Sequence, residues 1–162
     1  MAHQQTIGGR RMRPVKFRAW KHRESPEMIN DIDFIDWKNG IVGFPYQLSR
    51  DTFREDEENI NNMILMQSTG LKDKNGVEIF EGDIVEYAGR ANTHGVPWGW
   101  EFTTFGKGVV KYNLVGYSVF DLHTDNLIKE DLNELLIRYE EIDIEVIGNV
   151  YENSELLEEQ NK

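Results

Sequence analysis

Apolar and polar residues alternate with a period of two near both ends of the chain, and this pattern constrains the fold more than any other feature. Val15, Phe17 and Ala19 interleave with Lys16, Arg18 and Trp20, and Ile142, Ile144 and Val146 interleave with Asp143 and Glu145. Successive side chains on a strand point to opposite faces, so each run predicts a half-buried strand. Pro14 marks the start of the first, a position where its missing N–H breaks no ladder.

Turn chemistry punctuates the segments between. Lys38-Asn39-Gly40 separates Ile32–Trp37 from Ile41–Phe44, and Asn-Gly supplies the positive φ of a hairpin. Met63–Gln67 runs into Thr69-Gly70 and the turn Asp73-Lys74-Asn75-Gly76. Val77–Ile79, Glu81-Gly82-Asp83 and the strand Ile84–Tyr87 follow, with Gly82 expected in a turn conformation closed to β-branched residues. Val109–Tyr112 and Tyr117–Leu122 flank Asn113–Gly116 as a further hairpin. Ser49–Asn62 is polar, acidic and without a clear period, and reads as a surface connection that has room for a helical turn. Leu132, Leu135, Leu136 and Tyr139 recur at helical spacing, and Asn153 is placed to cap a last turn through Leu156 and Leu157. About seven or eight strands, too closely spaced for helical crossovers, predict a mainly β, antiparallel architecture with one or two short helices.

Composition narrows the function classes. The 162 residues contain no cysteine, which excludes disulfides, thiolate zinc sites and cysteine nucleophiles. The longest uninterrupted apolar run, Met63–Met66, has four residues, against the roughly 20 of a membrane-spanning helix, so no membrane partner is expected. Residues 1–23 carry seven bases and no acid, leaving 11 bases against 29 acids in the remainder of a chain with net charge −11. Such an acidic body repels phosphate and disfavours nonspecific nucleic-acid binding.

The motifs of known chemistries are missing. The sequence has no GxxxxGK[ST], no GxGxxG between strand and helix, and no GxSxG elbow. His3, His22, His94 and His123 lie far apart without ligand or triad spacing. Asp73-Lys74-Asn75-Gly76 lacks the distal bidentate glutamate of a calcium loop and reads as a turn. Asp31 and Asp33 share a strand face that Asp36 does not, and Glu140-Glu141 reads as solvated charge. No catalytic, metal or cofactor-binding residue is therefore assigned, and no enzyme is expected. The candidate binding surface is Ala88–Gly108, an elaborated loop or excursion hairpin in which Trp98, Trp100 and Phe102 stand among glycines with Arg90 and His94. Aromatics interleaved with glycine offer contact area with few rotamers to freeze.

Thr69-Gly-Leu-Lys-Asp-Lys-Asn-Gly-Val-Glu-Ile-Phe-Glu-Gly-Asp-Ile-Val85, preceded by Lys16-Phe-Arg-Ala-Trp20 and followed by Val146-Ile-Gly-Asn-Val-Tyr-Glu-Asn153, resembles the YopX family of small phage and prophage proteins. Ser68 departs from the aromatic residue usual before Thr-Gly, and Ala88–Gly108 is longer than the family pattern. The resemblance implies an SH3-like small barrel entered at Gly82-Asp83-Ile84-Val85 and closed by Ile142–Ile147. It gives a β-rich subdomain over 13–76 and the barrel over 77–151, between a flexible basic leader over 1–12, read from its Gly8-Gly9 pair and lack of apolar period, and a short C-terminal helix or tail over 152–162. It implies action in the bacterial host cytoplasm and no established catalytic residues. The functional expectation is a noncatalytic protein that forms a homo-oligomer and binds a host or phage protein. One alternative is an oligomeric, small-ligand (nucleotide-like) sequestering protein using Arg18, Arg90, His94 and Trp98. A nucleic-acid-binding SH3-like module, stacking through Tyr112 or Tyr117, is the second alternative and is opposed by the net charge.

Overall fold

A computed structural model describes residues 6–7, 10–11, 15–92, 101–113, 116–121, 127–129 and 142–158. Its strands are β1 (Thr6–Ile7), β2 (Arg10–Arg11), β3 (Phe17–Lys21), β4 (Glu27–Ile29), β5 (Phe34–Asp36), β6 (Ile41–Ser49) and β7 (Thr52–Asn59). They continue as β8 (Met63–Lys72), β9 (Glu78–Phe80), β10 (Asp83–Asn92), β11 (Glu101–Asn113), β12 (Gly116–Asp121), β13 (Leu127–Lys129) and β14 (Ile142–Asn149). One helical turn, α1 (Glu155–Glu158), follows. Every strand pair is antiparallel, as the close spacing of turns requires. No described helix is long and apolar enough to cross a membrane.

The five-stranded sheet β13-β12-β11-β10-β14 curls into a half-barrel. Strand β14 pairs with β10 from Asp83↔Asn149 to Gly89↔Ile142, so the two segments expected to open and close a barrel are neighbours. Ile79, Val85, Tyr87, Val110, Val119 and Ile144 form the core of this half. A second core gathers Ala19, Ile29, Val42, Phe44 and Met63, beneath the sheet β4-β3-β8-β9 and the separate sheet β5-β6-β7.

Strand β3 takes part in both halves. Ala19 faces the second core, while its neighbour Arg18, on the opposite face, is turned toward β10 and buried. The period-two pattern located the strand but not this second buried face, because an arginine in the polar phase looks like one turned to water.

The described strands number fourteen against the seven or eight expected, because short strands such as β4 and β13 carry no clear alternation, and two further segments differ in kind. Thr52–Asn59, within the expected connection, is a strand paired with β6 from Ile41↔Asn59 to Ser49↔Thr52. Cross-strand pairing decides it here against weak intrinsic preference. Asn153 does not cap α1 through its side chain. Its carboxamide oxygen accepts from Asn149 N–H at 3.2 Å, and its main-chain carbonyl receives Leu156 N–H. The expected helix at Leu132–Tyr139 lies outside the described residues.

Candidate functional site

The three sequence blocks that carry the family resemblance meet at one place, where β3 crosses the start of β10. Arg18 Nη2 contacts Asp83 Oδ1 at 2.5 Å, with both side chains almost wholly removed from water. The other carboxylate oxygen accepts Phe80 N–H at 2.7 Å. The guanidinium lies 4.8 Å above the Phe80 ring and donates to Met66 Sδ at 3.7 Å. Burial pushes the Asp83 carboxyl above the ordinary aspartate range, although Arg18 and Phe80 N–H act in the opposite direction. Trp20 stacks on Tyr151 at 6.0 Å between ring centroids.

Gly82 has φ +81°. It donates its N–H to Val110 and accepts Val150 N–H, so it stitches β11 to the segment after β14. The Asp83 carboxylate and Arg18 Nη2 are committed to partners within the joint, while the buried Arg18 Nε–H has no acceptor among the described residues. Arg18, a candidate anion ligand of the small-ligand reading, has its charge engaged by Asp83 and lies 9% exposed.

The acidic turns are similarly committed. Asp73 accepts from Asn75 N–H and Val77 N–H at 2.8 Å each, and from Val146 N–H at 3.1 Å. Its carboxyl titrates below the usual range, because these three donors outweigh the opposing effect of burial. A turn thereby becomes a brace onto β14. Asp73→Ala is expected to cost about 1–2 kcal/mol through the orphaned donors. The sign follows from the depressed folded pKa: the contribution is full above the unfolded aspartate pKa and is lost as pH falls through the folded one. Urea titrations of wild type and variant, repeated at descending pH, should converge. Asp36 likewise accepts from Asn39 N–H, Asn39 Nδ2 and Lys38 N–H. No described cluster of three His, Cys, Asp or Glu side chains could hold a metal.

The aromatic candidates divide. Arg90 lies on β10 and Phe102 on β11, in adjacent rungs of a long hairpin in which Arg90 pairs with Thr103 and Ala91 with Phe102. His94, Trp98 and Trp100 lie outside the described residues. Of the two proposed stacking tyrosines, Tyr117 meets Tyr112 edge to face at 5.2 Å, while Tyr112 is exposed.

A surface that sequence reasoning missed lies on the β6–β7 hairpin. Strand β5 covers β6 only as far as the Phe34↔Gly43 pair, whereas β6 and β7 continue together to Ser49↔Thr52. The apolar stripe that begins with buried Val42 and Phe44 runs on into Tyr46, 38% exposed, and Leu48, 55% exposed, sits beyond it at the register shift between Gln47 and Ser49. On the opposite face Phe53 is 61% exposed. The inner face is partly self-paired: Arg54 binds Asp56 at 2.9 Å and lies over the Tyr46 ring.

Both open edges of this arm are blunted. Gly43 C=O accepts from Asp33 N–H, which fixes the phase: Gly43 and Pro45 direct their backbone toward the β5 side, and Glu55, Glu57 and Asn59 direct theirs to the free edge of β7. Pro45 has no N–H to offer a further strand. Glu57 N–H is taken by the Asp56 carboxylate at 3.2 Å and Asn59 N–H by Glu58 at 2.9 Å. The arm resists strand addition and presents side-chain faces instead. The alternation Phe44, Tyr46, Leu48 was its visible signal.

Comparison with known proteins agrees with this architecture. A search of curated proteins gave no match. The crystal structure of protein EF1440 from Enterococcus faecalis is 28% identical, with a TM-score of 0.52 over 89% of this chain and 98% of that one. The family model described as YopX protein matches residues 16–158, which contain both cores, the joint and the arm. The chain belongs to the YopX family.

Proposed function

We propose that this protein is a phage or prophage product that acts in the bacterial cytoplasm by noncatalytic binding, associating with itself and with a host or phage protein. The observation that carries this reading is the arm: a two-stranded projection whose apolar stripe outruns its own core at Tyr46, with Leu48 exposed at the bulge just beyond. Large contiguous apolar groups left in water favour a macromolecular contact. The buried polar groups at the joint support the same reading, since the Asp83 and Asp73 carboxylates accept within the fold and the Arg18 charge is paired with Asp83, its buried Nε–H alone lacking an acceptor among the described residues. The acidic surface adds selectivity among partners.

The test is native mass spectrometry of complexes purified from infected cells, comparing wild type with Tyr46→Ser/Leu48→Ser and, in parallel, Trp98→Ala/Trp100→Ala. The arm variant should lose its complexes while melting within a few degrees of wild type. Retention in the arm variant with loss in the tryptophan variant would move the contact to Ala88–Gly108. Unchanged masses in both would defeat the binding reading.

A further inference from the structure

The two faces of the arm differ in how their charges are satisfied. On the inner face Asp56 pairs with Arg54, and Glu58 pairs with Lys21 at 3.3 Å. On the outer face Glu55 and Glu57 alternate with these residues along β7 and form no ion pair among the described residues. Across the strand they stand opposite Pro45 and Gly43. Gly43 carries no side chain for a reason: a Cβ there would overlap the ring of Phe34, which covers it. Phe34 and Phe53 are both exposed. The outer face therefore sets two unpaired carboxylates between two aromatic side chains and a proline.

We infer that this face docks a Lys/Arg-rich polypeptide segment of a partner, which deepens the binding reading above and rests on it. Charge complementarity selects the occupant, because an acidic row without cations of its own recovers Coulomb energy only from an incoming base. Spacing selects its form: residues two apart on a strand lie roughly 7 Å apart, so an extended segment with bases at alternate positions meets Glu55 and Glu57 in register. The aromatics supply apolar contact and cation–π surface for the same side chains. The blunted edges leave this face, and not the backbone, as the contact.

The probe is a fluorescein-labelled eight-residue peptide of alternating Arg and Leu, measured by anisotropy against the full chain, with a Glu-for-Arg peptide and spermine as comparators. The Arg peptide should bind, more weakly as salt rises, and the Glu peptide should not. Glu55→Lys/Glu57→Lys and Phe53→Ser should each weaken binding at least tenfold. Glu86→Lys/Asp143→Lys makes the same change of net charge on the half-barrel and should stay within threefold of wild type. Equal losses in the two charge variants, or spermine binding as tightly as the peptide, would reduce the effect to bulk charge and overturn the proposal. Failure of the Arg peptide to bind would also overturn it while leaving the arm reading to the Tyr46/Leu48 test. Loss of self-association in Glu55→Lys/Glu57→Lys without peptide binding would assign the face to a second copy instead.

Discussion

Replacing Arg18 with methionine is expected to destabilise the protein by about 3–5 kcal/mol, because it leaves Asp83 charged and buried without a counterion. Removing both charges should be far milder. Arg18→Met/Asp83→Asn keeps an oxygen for Phe80 N–H and should recover most of the loss in a urea titration. The pH dependence has a definite sign. Burial already holds the Asp83 pKa above its ordinary value, so the proton bound by the folded state contributes stability that is full below the unfolded pKa and lost as pH rises through the folded one. Taking away Arg18 raises the folded pKa further. The gap between wild type and Arg18→Met should therefore be widest at neutral pH and shrink on acidification toward the carboxylate range. A gap that stays constant or widens in acid would show that Arg18 acts through packing alone.

Gly82→Val should cost about 2–6 kcal/mol, combining a left-handed backbone penalty of roughly 1–3 kcal/mol with crowding by the valine methyls of similar size. A Cβ at this position would meet Met66 Sδ at 3.4 Å and Tyr151 Cε2 at 3.5 Å. The hydrogen bonds to Val110 and from Val150 prevent the turn from swinging away. Glu81→Gln, one residue earlier, should leave the melting temperature within about 2 °C, as neutral surface changes usually do. Thermal scans of the two variants check the contrast, and equal melting temperatures would rule out a special backbone requirement at Gly82.

The sequence carried the turns better than it carried the joint. Asn39-Gly40 and Gly82 announce themselves through local chemistry, and both glycines have positive φ in the structure. Residues 142–146 alternate cleanly, and β14 forms there. Arg18 was legible as a strand residue but not as a buried one, since its partner is 65 positions away and no local pattern encodes the meeting. The arm was half legible. Phe44, Tyr46 and Leu48 alternate on β6, but four consecutive acids from Glu55 to Glu58 mask β7, where pairing across the hairpin overrides propensity. Of the candidate surface, Arg90 and Phe102 were placed in one stretch, and the structure puts them on paired strands.

The double duty of β3 has a consequence for the order in which the molecule can be built. Arg18 waits for Asp83, 65 residues later, and at translation rates of about 5–20 residues per second that is a delay of roughly 3–13 s. Trp20 waits longer still for Tyr151. The face of β3 that carries Arg18 and Trp20 is thus completed long after its edges, and the half-barrel lacks its β14 neighbour until residues 142–149 have emerged. Contacts of such sequence separation make for slow, late-committing folding. A nascent chain stopped before residue 142 would have β3 paired on both edges but Trp20 without Tyr151, and β10 open along the side that β14 later fills.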